Sequence, residues 1–186
     1  MKTNYFWILI ALMASLTSIE AQEKWFTKTG SISFFSKAPL ENIEAHNKKV
    51  TCVLDTESGQ LEFSMLMKAF QFEKALMQEH FNENYVESDK HPKSTFSGKI
   101  TNIDKVSFKK DGNYAVQVTG DLTIKGITKN VSAPGTIIVK GGKVNASSEF
   151  QIALSDFNVS IPAVNKDNIS NNIKINVDLS FEPLKK

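Results

Sequence analysis

The feature that most constrains this chain is an alternation of apolar and polar side chains with a period of two, repeated from residue 22 almost to the C-terminus. Successive side chains of a strand point to opposite faces, so this pattern describes ribbons with one apolar and one wet side. The clearest ribbon runs from Tyr114 to Lys125. Tyr114, Val116, Val118, Leu122 and Ile124 share one face, and Gln117, Thr119, Asp121, Thr123 and Lys125 share the other. Gly120 falls mid-strand on the apolar face, where it permits a bend or a close approach to the backbone. Further on, Val144, Ala146, Phe150, Ile152 and Leu154 oppose Asn145, Ser147, Glu149, Gln151 and Ser155. Ile173, Ile175, Val177, Leu179 and Phe181 oppose Lys174, Asn176, Asp178, Ser180 and Glu182.

Residues 31–35, 50–54, 61–67 and 95–103 carry the same signal, as do 131–139, weakened by Pro134 and Gly135. Turn residues separate the runs at Glu57-Ser58-Gly59, Lys110-Asp111-Gly112-Asn113, Lys125-Gly126, Gly141-Gly142 and Asn165-Lys166-Asp167-Asn168. The result is about eight strands at hairpin spacing. One stretch breaks the rhythm. Over residues 72–81, Phe72, Leu76, Met77, His80 and Phe81 recur at helical spacing, with Glu73, Lys74, Gln78 and Glu79 between them. A short helix is predicted there, covering one mouth or edge of the sheet. No composition break divides residues 22–186, which read as one domain.

Strands with one apolar face need a cover, supplied either by a second sheet or by closure of the sheet on itself. Sequential antiparallel strands with short turns close readily. At about eight strands the interior is filled by side chains or holds one small ligand. Small residues on the inward faces (Gly120, Ala146, Ser148) leave volume inside. The expected fold class is therefore all-β, an antiparallel barrel of about eight strands with one short helix.

Residues 1–21 read as an address. Lys2 precedes an apolar run from Tyr5 to Ala14, and the segment then turns small and polar up to Ala21. That is the layout of a secretory signal peptide cleaved after Ala21. The run is short of the roughly 20 apolar residues a membrane span requires, and no transmembrane segment is expected in the mature chain. The expected location is periplasmic or secreted. The lone Cys52 excludes an intrachain disulfide and reads as a small buried hydrophobe.

The chemistry available is sparse. The net charge is +2, and all 22 basic residues are lysines. Without arginine there is no planar fork for bidentate contacts to phosphate or guanine, so no nucleic acid is expected as partner. His46, His80 and His91 lack metal-ligand spacing. His80 reads as an interior hydrogen-bonded side chain and His91 as a turn residue. There is no GxSxG elbow, P-loop or GxGxxG. Glu79 with Glu83, and Asp89 near His91, are more simply read as surface charges than as acid–base pairs. No enzyme activity, cofactor or metal is expected.

Three stretches resemble one family. Val118 to Val131 (VTGDLTIKGITKNV) looks like the signature strand and hairpin of the YceI-like family, exported bacterial lipid- or polyisoprenoid-binding proteins. Glu79 to Phe96 resembles its second marker, a helix leading through an aromatic-acidic turn into a His-Pro-x-x-x-Phe strand start. Ser155-Asp156-Phe157 matches a third. The resemblance covers most of residues 25–182. It implies a lipocalin-like barrel around an apolar cavity for an isoprenoid or other long-chain lipid. The lining it implies is Phe34, Met65, Met67, Phe70, Leu76, Met77, Phe81, Phe96, Val116, Val118, Leu122, Ile124, Phe150, Ile152, Leu154 and Phe157. Asn84, Asp89 and Lys125 are candidates to orient a head group. The competing reading is a filled barrel that binds a protein or glycan through its loops. A homodimer is the alternative to a monomer.

Overall fold

The computed structural model describes residues 24–184. The expected signal peptide, residues 1–21, lies outside them. Nine strands follow one another: β1 (Lys24–Lys37), β2 (Asn42–Asp55), β3 (Gln60–Leu66), β4 (Gln71–Phe72), β5 (Lys93–Ile100), β6 (Gly112–Ile124), β7 (Ile127–Lys140), β8 (Lys143–Ala153) and β9 (Asn172–Pro183). Every pairing is antiparallel, in the order β1-β9-β8-β7-β6-β5-β3-β2, and β1 pairs again with β2. Eight strands thus close a barrel without a free edge, the arrangement expected from the alternation. The ninth, β4, is a two-residue addition to β2.

Local chemistry accounts for most of the turns. Gly59, Gly126, Gly141 and Gly142 take positive φ, which a residue without Cβ adopts at no steric cost. At the β6–β7 turn Lys125 shares that conformation with Gly126. Strand limits differ from the sequence expectation at several ends. Residues 42–49 belong to β2, and Asn42–Asn47 pair with β1. The fifth strand stops at Ile100, and a single 3₁₀ turn follows at Ile103–Lys105. The helix expected over residues 72–81 is shorter. It begins at Ala75 as α1 (Ala75–His80) and continues as one π-helical turn, Phe81–Tyr85. Phe72 belongs instead to β4. None of the α1 side chains is fully buried, because the helix lies over the barrel end as part of a strap, residues 67–92. His80 is exposed, which overturns its reading as an interior side chain.

Two features of the wall follow from single residues. Gly98 and Gly120 face each other across β5 and β6, with the Phe96 ring close over both. A Cβ added to Gly120 would sit 2.4 Å from the Gly98 Cα and 2.7 Å from Cζ of Phe96. The glycine on the apolar face therefore admits a phenyl ring and a neighbouring strand. The second feature is at Pro134. The β7–β8 ladder ends at Gly135 and Ser148, although β7 stays paired to β6 as far as Ile127 and β8 to β9 as far as Ala153. The Pro134 carbonyl points toward β8 and accepts the Ser148 hydroxyl at 2.6 Å. Its nitrogen has no hydrogen to continue the ladder.

The core divides accordingly. Trp25, Leu54, Leu61, Ile137, Val139, Val144, Leu179 and Phe181 are buried where β1 starts and β9 ends, and they close that end of the barrel. A second cluster, Leu122, Phe157 and Val159, packs with Ile124, Val131 and Ile152 where β7 and β8 part. Cys52 is buried, and burial pushes its thiol pKa up.

Candidate functional site

Between the closed end and the strap lies a cavity of about 520 Å³, within the ~300–1,000 Å³ usual for small-molecule sites. Its wall is built from the inward positions of all eight barrel strands. These include Phe34 from β1, Leu54 from β2, Phe63 and Met65 from β3, Phe96 from β5 and Val118 from β6. Ala133, Phe150 and Ile175 come from β7, β8 and β9. Several of these side chains point away from bulk solvent yet remain partly accessible, Phe96, Val118, Phe150 and Ile175 among them. The reason is that empty space faces them.

Fifteen of the sixteen residues expected to form the lining do face this space. Phe34, Met65, Met67, Phe70, Leu76, Met77, Phe81 and Phe96 line it toward the strap and along the β3–β5 side. Val116, Val118, Leu122, Ile124, Phe150, Ile152 and Leu154 line the β6–β8 side. Phe157 does not. It is 1% exposed and packs behind the wall, in the gap between β7 and β8. Leu76 reaches the cavity only at its outer rim, with 60% of its surface exposed.

The strap end carries an aromatic cluster. Phe34 packs on Phe70, Phe72 and Phe81 at centroid separations of 5.3, 5.8 and 5.6 Å. Phe72 and Phe81 are 5.1 Å apart. Such tilted and edge-on pairs contribute roughly 0.5–1.5 kcal/mol each beyond the burial of their area. They hold the strap down with apolar contacts that a ligand tail can share.

Around this end three loops are joined by polar contacts. Lys74 Nζ donates to Glu41 Oε1 at 2.8 Å, the Leu40 N–H donates to the Asp167 carbonyl at 2.9 Å, and Asn165 Nδ2 donates to the Tyr85 hydroxyl at 3.0 Å. Glu41, Lys74, His80, Tyr85, Asn165 and Asn168 all border the cavity. Glu41 holds the Lys74 ammonium above its ordinary pKa, chiefly by the hydrogen bond between them. These residues lie on separate loops far apart in sequence, and no periodicity marks them. By contrast Ile173, Ile175 and Val131, also absent from the expected lining, are legible from strand alternation alone.

The three head-group candidates are elsewhere. None of Asn84, Asp89 and Lys125 borders the cavity. Asp89 is paired with Lys68 on the surface, and Lys125 bonds Glu87 at 2.8 Å. Glu87 receives Lys125 and Lys90 together, which lowers its carboxyl pKa to about 2. Glu79 and Glu83 are exposed. Among the described residues no group of three or more His, Cys, Asp or Glu side chains is placed to hold a metal ion. Among the same residues no helix is long and apolar enough to cross a membrane.

The family model of the YceI-like domain matches residues 23–181. The chain belongs to the YceI-like family. No curated protein matches it. Solved structures share the fold of this YceI-like protein at low identity. A polyisoprenoid-binding domain from Saccharophagus degradans, implicated in plant cell wall breakdown, is 10% identical with a TM-score of 0.77, covering 88% of this chain and 100% of its own. Burkholderia cenocepacia BcnA is 19% identical with a TM-score of 0.67, covering 82% and 96%. The YceI protein of Campylobacter jejuni is 21% identical with a TM-score of 0.61, covering 79% and 88%.

Proposed function

We propose that this YceI-like protein is an exported binding protein, not an enzyme, that carries or sequesters an apolar chain-like lipid inside its barrel. The observation that carries the reading is the cavity of about 520 Å³, whose wall is mainly aliphatic and aromatic, with polar groups gathered chiefly at the strap end. Burial of each methylene contributes about 0.8 kcal/mol, so a long chain needs few polar contacts to bind. A polyisoprenoid or related amphiphile fits this chemistry, and the fold shared with a polyisoprenoid-binding domain supports it. The charged-to-apolar layout of residues 1–21 supports a signal peptide that delivers residues 22–186, as one domain, to the periplasm or medium. The filled-barrel alternative requires a solid interior, and the hollow favours the carrier.

Material purified from its native envelope without detergent, denatured and extracted with organic solvent, should yield one chain lipid per protein by mass spectrometry. Absence of lipid, together with no uptake of added prenyl alcohol by the emptied protein, would refute the proposal.

A further inference from the structure

The cavity opens at the strap end. Of the described residues that line it, only Lys74, Leu76 and His80 are exposed, and all three stand at the start of α1 or within it. Three loops frame this mouth: residues 38–41 between β1 and β2, residues 73–76 leading into α1, and residues 162–167 ahead of β9. They are tied together by Glu41 with Lys74, by the Leu40 N–H with the Asp167 carbonyl and, through the strap, by Asn165 with Tyr85.

Each of these loops carries a bare apolar tip. Leu40, Leu76 and Val164 are 74, 60 and 87% exposed, three of the six large apolar side chains that face solvent among the described residues. The other three are scattered: Val53 and Leu184 lie toward the closed end, and Leu66 on the outer wall. A singly exposed apolar side chain is ordinary, but a set gathered around one opening marks an interaction surface. The path inward from the tips is apolar as well, since Leu76 borders the cavity beside Met77 and Phe81. The tips are aliphatic and sit on separate loops, unlike the aromatic and arginine-rich centre of a protein interface. Charges of both signs stand among them, Glu73, Lys74, Lys166 and Asp167, so the rim favours a surface without strong net charge.

We propose that the strap end docks on the surface of a zwitterionic lipid bilayer: Leu40, Leu76 and Val164 dip among the acyl chains and set the mouth of the barrel against the layer that supplies or receives its cargo. Attachment of this kind scales with the apolar area buried, and charge contributes little to it here. The proposal rests on the lipid-carrier reading above and adds the surface through which a chain lipid enters and leaves without crossing water.

The test uses the full mature chain, phosphatidylcholine vesicles and a fluorescent prenyl alcohol offered either in those vesicles or in cyclodextrin. Leu40 and Val164 do not line the cavity, so the double variant Leu40→Asp/Val164→Asp separates docking from cargo binding. The parent protein should float with the vesicles, and the double variant should bind them at least about tenfold more weakly. Leu184→Asp, at the closed end, should bind as the parent does. Binding should persist in about 1 M salt, where surface charge is screened beyond about 3 Å. The double variant should take up the alcohol from cyclodextrin with the parent's affinity but extract it from vesicles more slowly. No vesicle binding by the parent, equal binding by the double variant, or binding that needs anionic lipid and low salt would overturn the docking surface. So would a dimer of the parent that the double variant loses while neither binds vesicles, which would assign the tips to a second copy of the chain. In each of these cases uptake from cyclodextrin leaves the carrier reading standing. Failure to take up the alcohol from either source would remove that reading, and the docking surface with it.

Discussion

Replacing Val118 by Phe sets a hollow barrel against a solid one. Val118 faces inward from β6 opposite Ala133 of β7, and both border the cavity. A benzyl side chain in place of an isopropyl group adds about four carbon atoms there and displaces about as many from a bound chain. At about 0.8 kcal/mol per methylene, affinity should fall by about 3 kcal/mol, more than a hundredfold. In a close-packed core the same change forces side chains off their rotamers and costs about 1–3 kcal/mol of stability. In an empty space it instead gives the surrounding atoms new contacts, so stability should hold or rise. Urea unfolding of the lipid-free protein and competition binding of a fluorescent prenyl probe measure the two quantities on one sample. A variant that is destabilised by a few kcal/mol while its affinity stays unchanged would show that the interior is already full.

Two further outcomes test the wall and the strap. Gly120→Ala should destabilise the lipid-free fold by about 1–3 kcal/mol in urea, because the added carbon meets Gly98 Cα at 2.4 Å and the Ser97 carbonyl at 2.5 Å. A gain of the ~0.4–1 kcal/mol that Gly→Ala brings at a permissive site would refute the close approach. Glu87, held near pKa 2 by Lys125 and Lys90 against an ordinary 4.5, binds its proton more readily in the unfolded chain than in the native one. Its contribution to stability is therefore complete above about pH 4.5 and is lost as the pH falls toward 2. Glu87→Gln should flatten that part of the pH–stability curve, and an unchanged acid slope would count against the ion-pair cluster.

Much of the barrel was legible before any coordinates. The inward face of β6, from Tyr114 to Ile124, can be read residue by residue from alternation, and β8 and β9 follow the same rule. The strap was harder to read. Apolar spacing over residues 72–81 suggested a helical face turned inward. In the fold Leu76 and His80 lie toward solvent, because the aromatic ring stack around Phe34 takes Phe72 and Phe81 from either side of α1. Phe157 was apolar and near the right place, yet it fills the gap between strands. That gap arises from one imino acid, Pro134, acting on the hairpin ladder that β7 shares with β8.

Which face of a strand is apolar is a local property, fixed by covalent geometry that turns each side chain opposite to the last. That much the residues determined unaided, and with it the pressure to close a sheet around its apolar side. Whether the enclosed space stays empty depends on how far apart the walls stand when eight strands close together, with their tilt and stagger linked. The same closure decided that Glu41 meets Lys74 and that Asn165 meets Tyr85. These contacts join residues distant along the chain, and only the assembled barrel brings them together.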